Sequence, residues 1–213
     1  MMYQEIVIIG ILVLLYYNYN YNNSVYEYFT DTSVMSSMDK RTYNVVGGFA
    51  NVKDAANEMA ELSKFIVEFL RFLKNKFIIN KQGTNKEQEF VNRLLRNYNP
   101  DKIFENDPKP GEDTSFVVNK GEKFGICLRN KQNTNIHDKP ILHFVIIHEL
   151  THIGTIGYGH EYEFWAWMKF MVIQAKEAGL YNPIDYSIHK TSYCGMPVTS
   201  NPYFVDKYDH NLI

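Results

Sequence analysis

The sequence predicts an α+β domain in which several helices pack with a small antiparallel or mixed sheet. Apolar residues recur at three- and four-residue steps from 52 to about 77, which is the period of an amphipathic helix. A second apolar stretch, after Asp138, has the continuous apolar character of a helix buried through a domain centre. Between them, residues 114–118 and 123–129 are rich in β-branched and aromatic side chains around a turn at 119–122, which predicts a β-hairpin.

Length and composition indicate one globular domain. The chain has 213 residues, of which 45% are hydrophobic and 22% are charged, values typical of a folded protein with a sizeable core. The formal net charge is −2 and there is no basic block. The sequence therefore contains no clear nucleic-acid-binding signal.

Residues 1–22 are predicted to form a hydrophobic N-terminal anchor. The run 6–17 is apolar or aromatic, although it is shorter than the ~20 residues that cross a bilayer as a straight helix. Alternating asparagine and tyrosine follow it, and aromatic rings favour the membrane–water boundary. We therefore expect a single-pass anchor in a host or virion membrane. A cleaved signal peptide and a buried strand or helix stay open as alternatives.

The rest of the chain is predicted to contain a linker, 23–41, and one domain, 42–213. Within the domain, residues 42–46 predict a short strand, and 85–96 predict a helix that Asn99 and Pro100 end. Residues 107–111 predict a loop, and an apolar stripe predicts a further helix from 160 to about 179. From 181 to 213 the sequence predicts little regular structure.

The apolar helix after Asp138 contains the motif H-E-x-x-H. Asp138 suits an N-cap and Pro140 is tolerated in the first turn. Because positions i and i+4 share a helix face, His148 and His152 can bind one metal ion, and Glu149 can reach a water on that ion. Two neutral nitrogen ligands and a carboxylate base are the minimum for zinc-assisted amide hydrolysis.

A third ligand is expected shortly after the motif. Three glycines lie between 154 and 159, where they can end the helix and allow a turn, and His160 follows on a separate element. His160 is therefore the predicted third ligand. Glu161, Glu163 and Cys194 are alternatives, because carboxylates and thiolates also bind zinc.

The two cysteines, Cys127 and Cys194, form no C-x-x-C pair and imply no disulfide framework. We interpret them as two buried thiols, with a single bridge as the alternative.

These motifs together resemble the WLM and SprT-like zincin metallopeptidases, and most of all the WLM-type proteins of large DNA viruses. The resemblance is carried by H-E-L-T-H at 148–152, a glycine-containing spacer, G-H-x-x-x-F-W at 159–165 and Y-C-G-M at 193–196. It covers about a quarter of the chain. The longer metzincin pattern departs from this sequence, because Thr155 and Tyr158 stand where that pattern has glycine and its last histidine.

The resemblance implies a zincin-like fold and a viral protein. It implies that His148, His152 and His160 bind Zn²⁺, that Glu149 is the catalytic base, and that Met196 belongs to a methionine turn that forms an apolar floor beneath the metal.

A transition-state stabiliser and a substrate-binding strand are further expectations. The candidates to stabilise a developing oxyanion are Tyr193, Tyr158 and His189. Residues 124–129 are the candidate edge strand, on which an extended peptide could add as one more strand. The remaining histidines, His137, His143 and His210, are expected at the surface or hydrogen-bonded rather than as ligands.

The sequence as a whole predicts a zinc-dependent metallopeptidase with a protein or peptide substrate. A second hypothesis is a virion or membrane structural protein in which zinc only stabilises the fold. A third is an amide hydrolase that acts on a small molecule or a cell-wall peptide.

Overall fold

A computed structural model of the chain describes residues 32–108, 112–130 and 133–213, and in these ranges it confirms the predicted α+β class. The α-helices are α1 (Val52–Leu73), α2 (Asn85–Asn97), α3 (Lys139–Gly154) and α4 (Tyr162–Glu177). The strands are β1 (Thr32–Met35), β2 (Thr42–Val45), β3 (Ile103–Glu105), β4 (Phe116–Val118), β5 (Lys123–Ile126), β6 (Thr191–Tyr193) and β7 (Met196–Val198).

The two helices predicted from periodicity before the hairpin are present. Helix α1 buries the predicted apolar face and ends at Leu73. A π-helical segment, Lys74–Ile79, follows it directly. Helix α2 begins with a capping box, in which the Thr84 hydroxyl accepts from the Glu87 N–H and the Glu87 carboxylate accepts from the Thr84 N–H. Local sequence signals therefore determine where this helix starts.

A three-stranded mixed sheet has the order β3-β5-β4, so β5 is the central strand. The predicted hairpin is its antiparallel β4–β5 pair, and β3 adds in parallel on the other side of β5. The prediction that residues 124–129 form an edge strand is wrong, because β3 covers that side. Strands β3 and β4 are the two edge strands of this sheet.

Strand β1 lies in the segment that the sequence assigns to a linker. It pairs antiparallel with the predicted strand β2, and the Ser33 hydroxyl donates to the Asn44 side-chain oxygen across the pair at 2.8 Å. Its four residues are too few to give a periodic signal, so the pairing depends on β2 rather than on local preference.

Helix α3 is the central element of the core and packs against α1, α2 and α4. Its C-terminal end lies directly on α2, since a Cβ at Gly154 would be 2.5 Å from the Phe90 ring. The Phe90 ring in turn stacks on Trp167 of α4 with ring centroids 4.4 Å apart. The helix that carries H-E-x-x-H is thus held on three sides.

The predicted localisation needs correction. Every helix in the described part of the chain is too short or too polar to serve as a membrane span. This finding overturns the prediction of a membrane localisation through a single-pass anchor. The segment assigned to that anchor, 1–22, lies outside the described residues.

Candidate metal centre

Three histidine side chains converge at the C-terminal end of α3. His148 and His152 lie one turn apart on that helix, and His160 lies in the loop before α4. The Nε2–Nε2 distances are 3.2 Å for His148–His152, 3.1 Å for His152–His160 and 2.9 Å for His148–His160. The structure thus brings together the three residues that the sequence selects as ligands.

Hydrogen bonding alone leaves this triangle of nitrogens unsatisfied. The Nε2 atom of a neutral imidazole is either an N–H donor or a lone-pair acceptor. Among three mutually adjacent Nε2 atoms, at least two must therefore face each other with the same kind of group. A cation between them would bind all three lone pairs, so the cluster could hold a metal ion.

The pKa values of the three imidazoles are all lowered. Burial holds the pKa of His148 well below its usual range, and the two neighbouring histidines lower that pKa further. Burial also lowers the pKa of His152 to about 3. The pKa of His160 is lowered by burial too, against an opposing effect of Asp113. Because neutral imidazole is the metal-binding form, the lowered pKa values suit a cluster that could hold a metal ion.

Glu149 lies beside the histidines as a buried carboxyl group. It is 3% exposed, and its Oε2 atom has no hydrogen-bond partner among the described residues. Burial, followed by the nearby Asp113, raises the pKa of Glu149 to about 8. An unpartnered buried carboxylate is costly, so a partner in the adjacent cleft would relieve that cost.

Phe164, rather than Met196, forms the floor of the cluster. The Phe164 ring is buried, and its centroid lies 4.7 Å from that of His148, 4.2 Å from that of His152 and 4.7 Å from that of His160. Met196 is 51% exposed on β7, so the expected methionine floor is corrected. The reason is that α4 runs directly beneath the ligands and brings its first buried aromatic ring there.

A cleft of about 190 Å³ opens beside the three histidines and Glu149. Phe116 and Val117 of the edge strand β4 line one part of it, and Tyr158 and Lys120 line another. The cleft is therefore bounded by β4, an edge strand of the mixed sheet, and by the loop that carries His160.

The three proposed oxyanion stabilisers lie in different surroundings. Tyr158 lines the cleft and is 77% exposed. Tyr193 is buried, where its O–H donates to the Cys127 carbonyl at 2.7 Å and accepts from the Ser115 hydroxyl at 2.5 Å. Neither Tyr193 nor His189 is part of the cleft wall. Of the three, only Tyr158 lines the cleft, while Tyr193 lies behind the cleft wall, hydrogen-bonded to Ser115, which does line it.

Cys127 and Cys194 are joined by a disulfide bond, which overturns the interpretation of two free thiols. Their Cα atoms are 6.4 Å apart although 67 positions separate them in sequence. Cys194 is therefore not available as a thiolate ligand. The other two alternatives, Glu161 and Glu163, are not part of the histidine cluster that could hold a metal ion among the described residues.

The remaining histidines have other partners, as expected. His137 accepts from the Cys194 N–H at 3.2 Å, and His143 stacks on Phe65 with ring centroids 4.0 Å apart. His210 lies 3.0 Å from a carboxylate oxygen of Glu87.

Two contributors to the site were missed at the level of sequence. Phe164 was assigned to the core stripe of α4, although its position four residues after His160 could have suggested contact with the ligand. Lys120 was assigned only to a hairpin turn, and no sequence signal connects it with residues 152–160.

Comparison with known proteins identifies a viral relative. The chain is 29% identical over 168 residues to Uncharacterized protein R325 of Acanthamoeba polyphaga mimivirus, and the alignment covers 78% of this chain and 81% of that protein. No protein-family model and no solved structure matches the chain. The name of the relative states no activity, so the functional argument depends on the site.

Proposed function

We propose that this chain is a zinc-dependent metallopeptidase. One observation carries the proposal: three imidazole nitrogens meet in a cleft beside a buried carboxylate with an unpartnered oxygen. Three protein ligands with an open fourth position and an adjacent base are the arrangement of catalytic zinc sites. The zincin-like fold and the kinship to WLM and SprT-like peptidases belong to the same proposal.

Zinc is the ion that we propose for this donor set. Zn–N bonds of about 2.0–2.1 Å at tetrahedral angles separate ligand nitrogens by about 3.3–3.4 Å. The observed separations of 2.9 to 3.2 Å need only a small expansion. Calcium and magnesium prefer oxygen ligands, whereas imidazole suits zinc and its transition-metal neighbours.

In the proposed reaction, Glu149 and Phe164 would have different roles beside the metal ion. When bound, zinc would supply Lewis acidity, which acidifies water and polarises a carbonyl group. The Oε2 atom of Glu149 would accept a proton from the attacking water and pass it to the leaving amine nitrogen. Phe164 excludes water from beneath the ligands and restricts the orientation of their rings.

A peptide is the substrate class that the cleft favours. Within the described part of the chain, β4 pairs with β5 alone, so its outer edge is free to accept an extended peptide as an added strand. Phe116 and Val117 line the cleft, and a peptide on that edge would therefore pass close to Glu149.

The alternative of a virion structural protein with a stabilising zinc is less well supported. A structural zinc site is normally closed by four protein ligands. The described residues contain three, and the disulfide bond removes Cys194 as a fourth.

Metal analysis of the full chain, together with a peptide-library cleavage assay with and without chelator, tests the proposal. We expect about one zinc per chain and cleavage that the chelator abolishes. Glu149→Gln should keep the zinc and lose about 10²- to 10⁴-fold in turnover. The matched exchange Glu68→Gln, on α1, should change neither quantity. Zinc-loaded protein that cleaves no peptide, or a Glu149→Gln variant with wild-type turnover, would refute the proposal.

A further inference from the structure

We infer that Lys120 is a positioning residue that holds the loop of the third ligand, His160, in the metal-binding arrangement. The inference rests on the proposed function, because it assigns Lys120 a role in the same site.

The Lys120 ammonium joins two parts of the metal centre. Lys120 lies in the turn between β4 and β5, and its Nζ donates to the carbonyl oxygen of His152 at 3.0 Å. The same Nζ donates to the carbonyl oxygen of Gly157. It also lies over the Tyr158 ring, 4.5 Å from the centroid. One side chain therefore contacts a ligand residue of α3 and the loop that leads to the next ligand.

The His152 carbonyl needs such a donor because it lies in the last turn of α3. Carbonyls in that turn have no intrahelical N–H partner, and a cation at a helix C-terminus is favourable. Among the described residues, the Thr155 hydroxyl is the other donor near these carbonyls, at 3.3 Å from that of His152 and 3.5 Å from that of Gly157. One hydroxyl hydrogen serves one acceptor at a time, so Lys120 is the group that links both carbonyls.

The loop between α3 and His160 needs an external restraint. A Cβ at Gly157 would meet no atom closer than 3.7 Å, and one at Gly159 none closer than 3.8 Å. Close packing therefore does not explain these glycines, and their main effect is to leave the backbone free. A metal ligand at the end of such a segment must be held within about 0.5 Å of its working position. Lys120 supplies that restraint from the neighbouring sheet.

Zinc affinity of the full chain, measured by competition with a chromophoric chelator, tests this role. Lys120→Met should weaken zinc binding by about 10- to 100-fold, the usual effect of losing a group that orients a ligand. Lys120→Arg, which keeps a cation and several N–H donors, should recover most of the affinity. Lys123→Met is the matched control, because Lys123 is exposed on β5 and has no side-chain hydrogen bond or ion pair to the described residues. It should bind zinc like the wild type.

Two further measurements separate positioning from general stability. Hydrogen exchange of the apo-protein should accelerate at 155–160 in Lys120→Met while α1 and α2 stay protected. The visible spectrum of the Co²⁺-loaded variant should lose intensity, as expected when a tetrahedral site gains water ligands.

The outcomes are distinguishable. A folded Lys120→Met protein that binds zinc less than about tenfold more weakly than the wild type would overturn the positioning role. If that variant does not fold, Lys120→Gln replaces it under the same criterion, because its neutral amide can reach one carbonyl but lacks the charge. Failure of the wild type itself to bind zinc would overturn the proposed function instead.

Discussion

Relative to the wild type, the metal-free Glu149→Gln variant should become progressively more stable as the pH rises. Glu149 is 3% exposed and its Oε2 has no hydrogen-bond partner among the described residues. Burial, with Asp113 as the next cause, raises its pKa from 4.5 to about 8. The metal-free folded protein therefore favours the neutral, protonated carboxyl group, whereas the positive charge of a bound metal ion would favour the carboxylate that the proposed base requires.

The direction of the effect follows from proton linkage. The contribution of protonated Glu149 to stability is fully present below its unfolded pKa of 4.5 and is lost as the pH rises to about 8. At about 1.4 kcal/mol for each pH unit, the wild type should lose about 2 to 4 kcal/mol relative to Glu149→Gln between pH 5 and pH 8. The cost of burying the glutamine amide is the same at every pH, so it cancels from this comparison.

Urea unfolding in the presence of chelator, at several pH values from 5 to 8, measures the difference. Glu68→Gln is the control and should follow the wild-type curve throughout. If wild type and Glu149→Gln give parallel curves of unfolding free energy against pH, Glu149 is hydrated or paired in the apo-protein. The description of it as a buried, unpartnered base would then be refuted.

Three further predictions concern the supports of the site. Phe164→Ala should lower the free energy of unfolding by about 3–5 kcal/mol through the cavity it leaves. Phe164→Leu should lower it by less, and calorimetry of both variants measures the difference. Gly154→Ala should lower the free energy of unfolding by about 1–3 kcal/mol, because the new Cβ would meet the Phe90 ring. A variant that unfolds in urea like the wild type would contradict that contact. Replacing Cys127 and Cys194 together by serine should cost about 2–4 kcal/mol by releasing a long loop, and non-reducing peptide mapping of the wild type checks the bridge itself.

Much of the fold could be predicted because its signals are local. The apolar repeat of α1, the capping box of α2 and the turn between β4 and β5 each specify an element from neighbouring residues. The association of β1 with β2 and of β3 with β5 could not be predicted in the same way. Strand pairing depends on hydrogen bonds between separate segments, so the side of β5 that is covered is not evident from either strand alone.

The candidate site also combines features that local sequence predicts with features that depend on tertiary contacts. A four-residue step on one helix and a short glycine-containing spacer are properties of the chain itself, and they were enough to select His148, His152 and His160 and to set Glu149 beside them. Only folding decided that Phe164 lies under the rings, that Cys194 is bonded to a distant cysteine, and that Lys120 reaches the loop before His160. Those contacts join segments remote in sequence, and their energies arise only when packing brings the partners together.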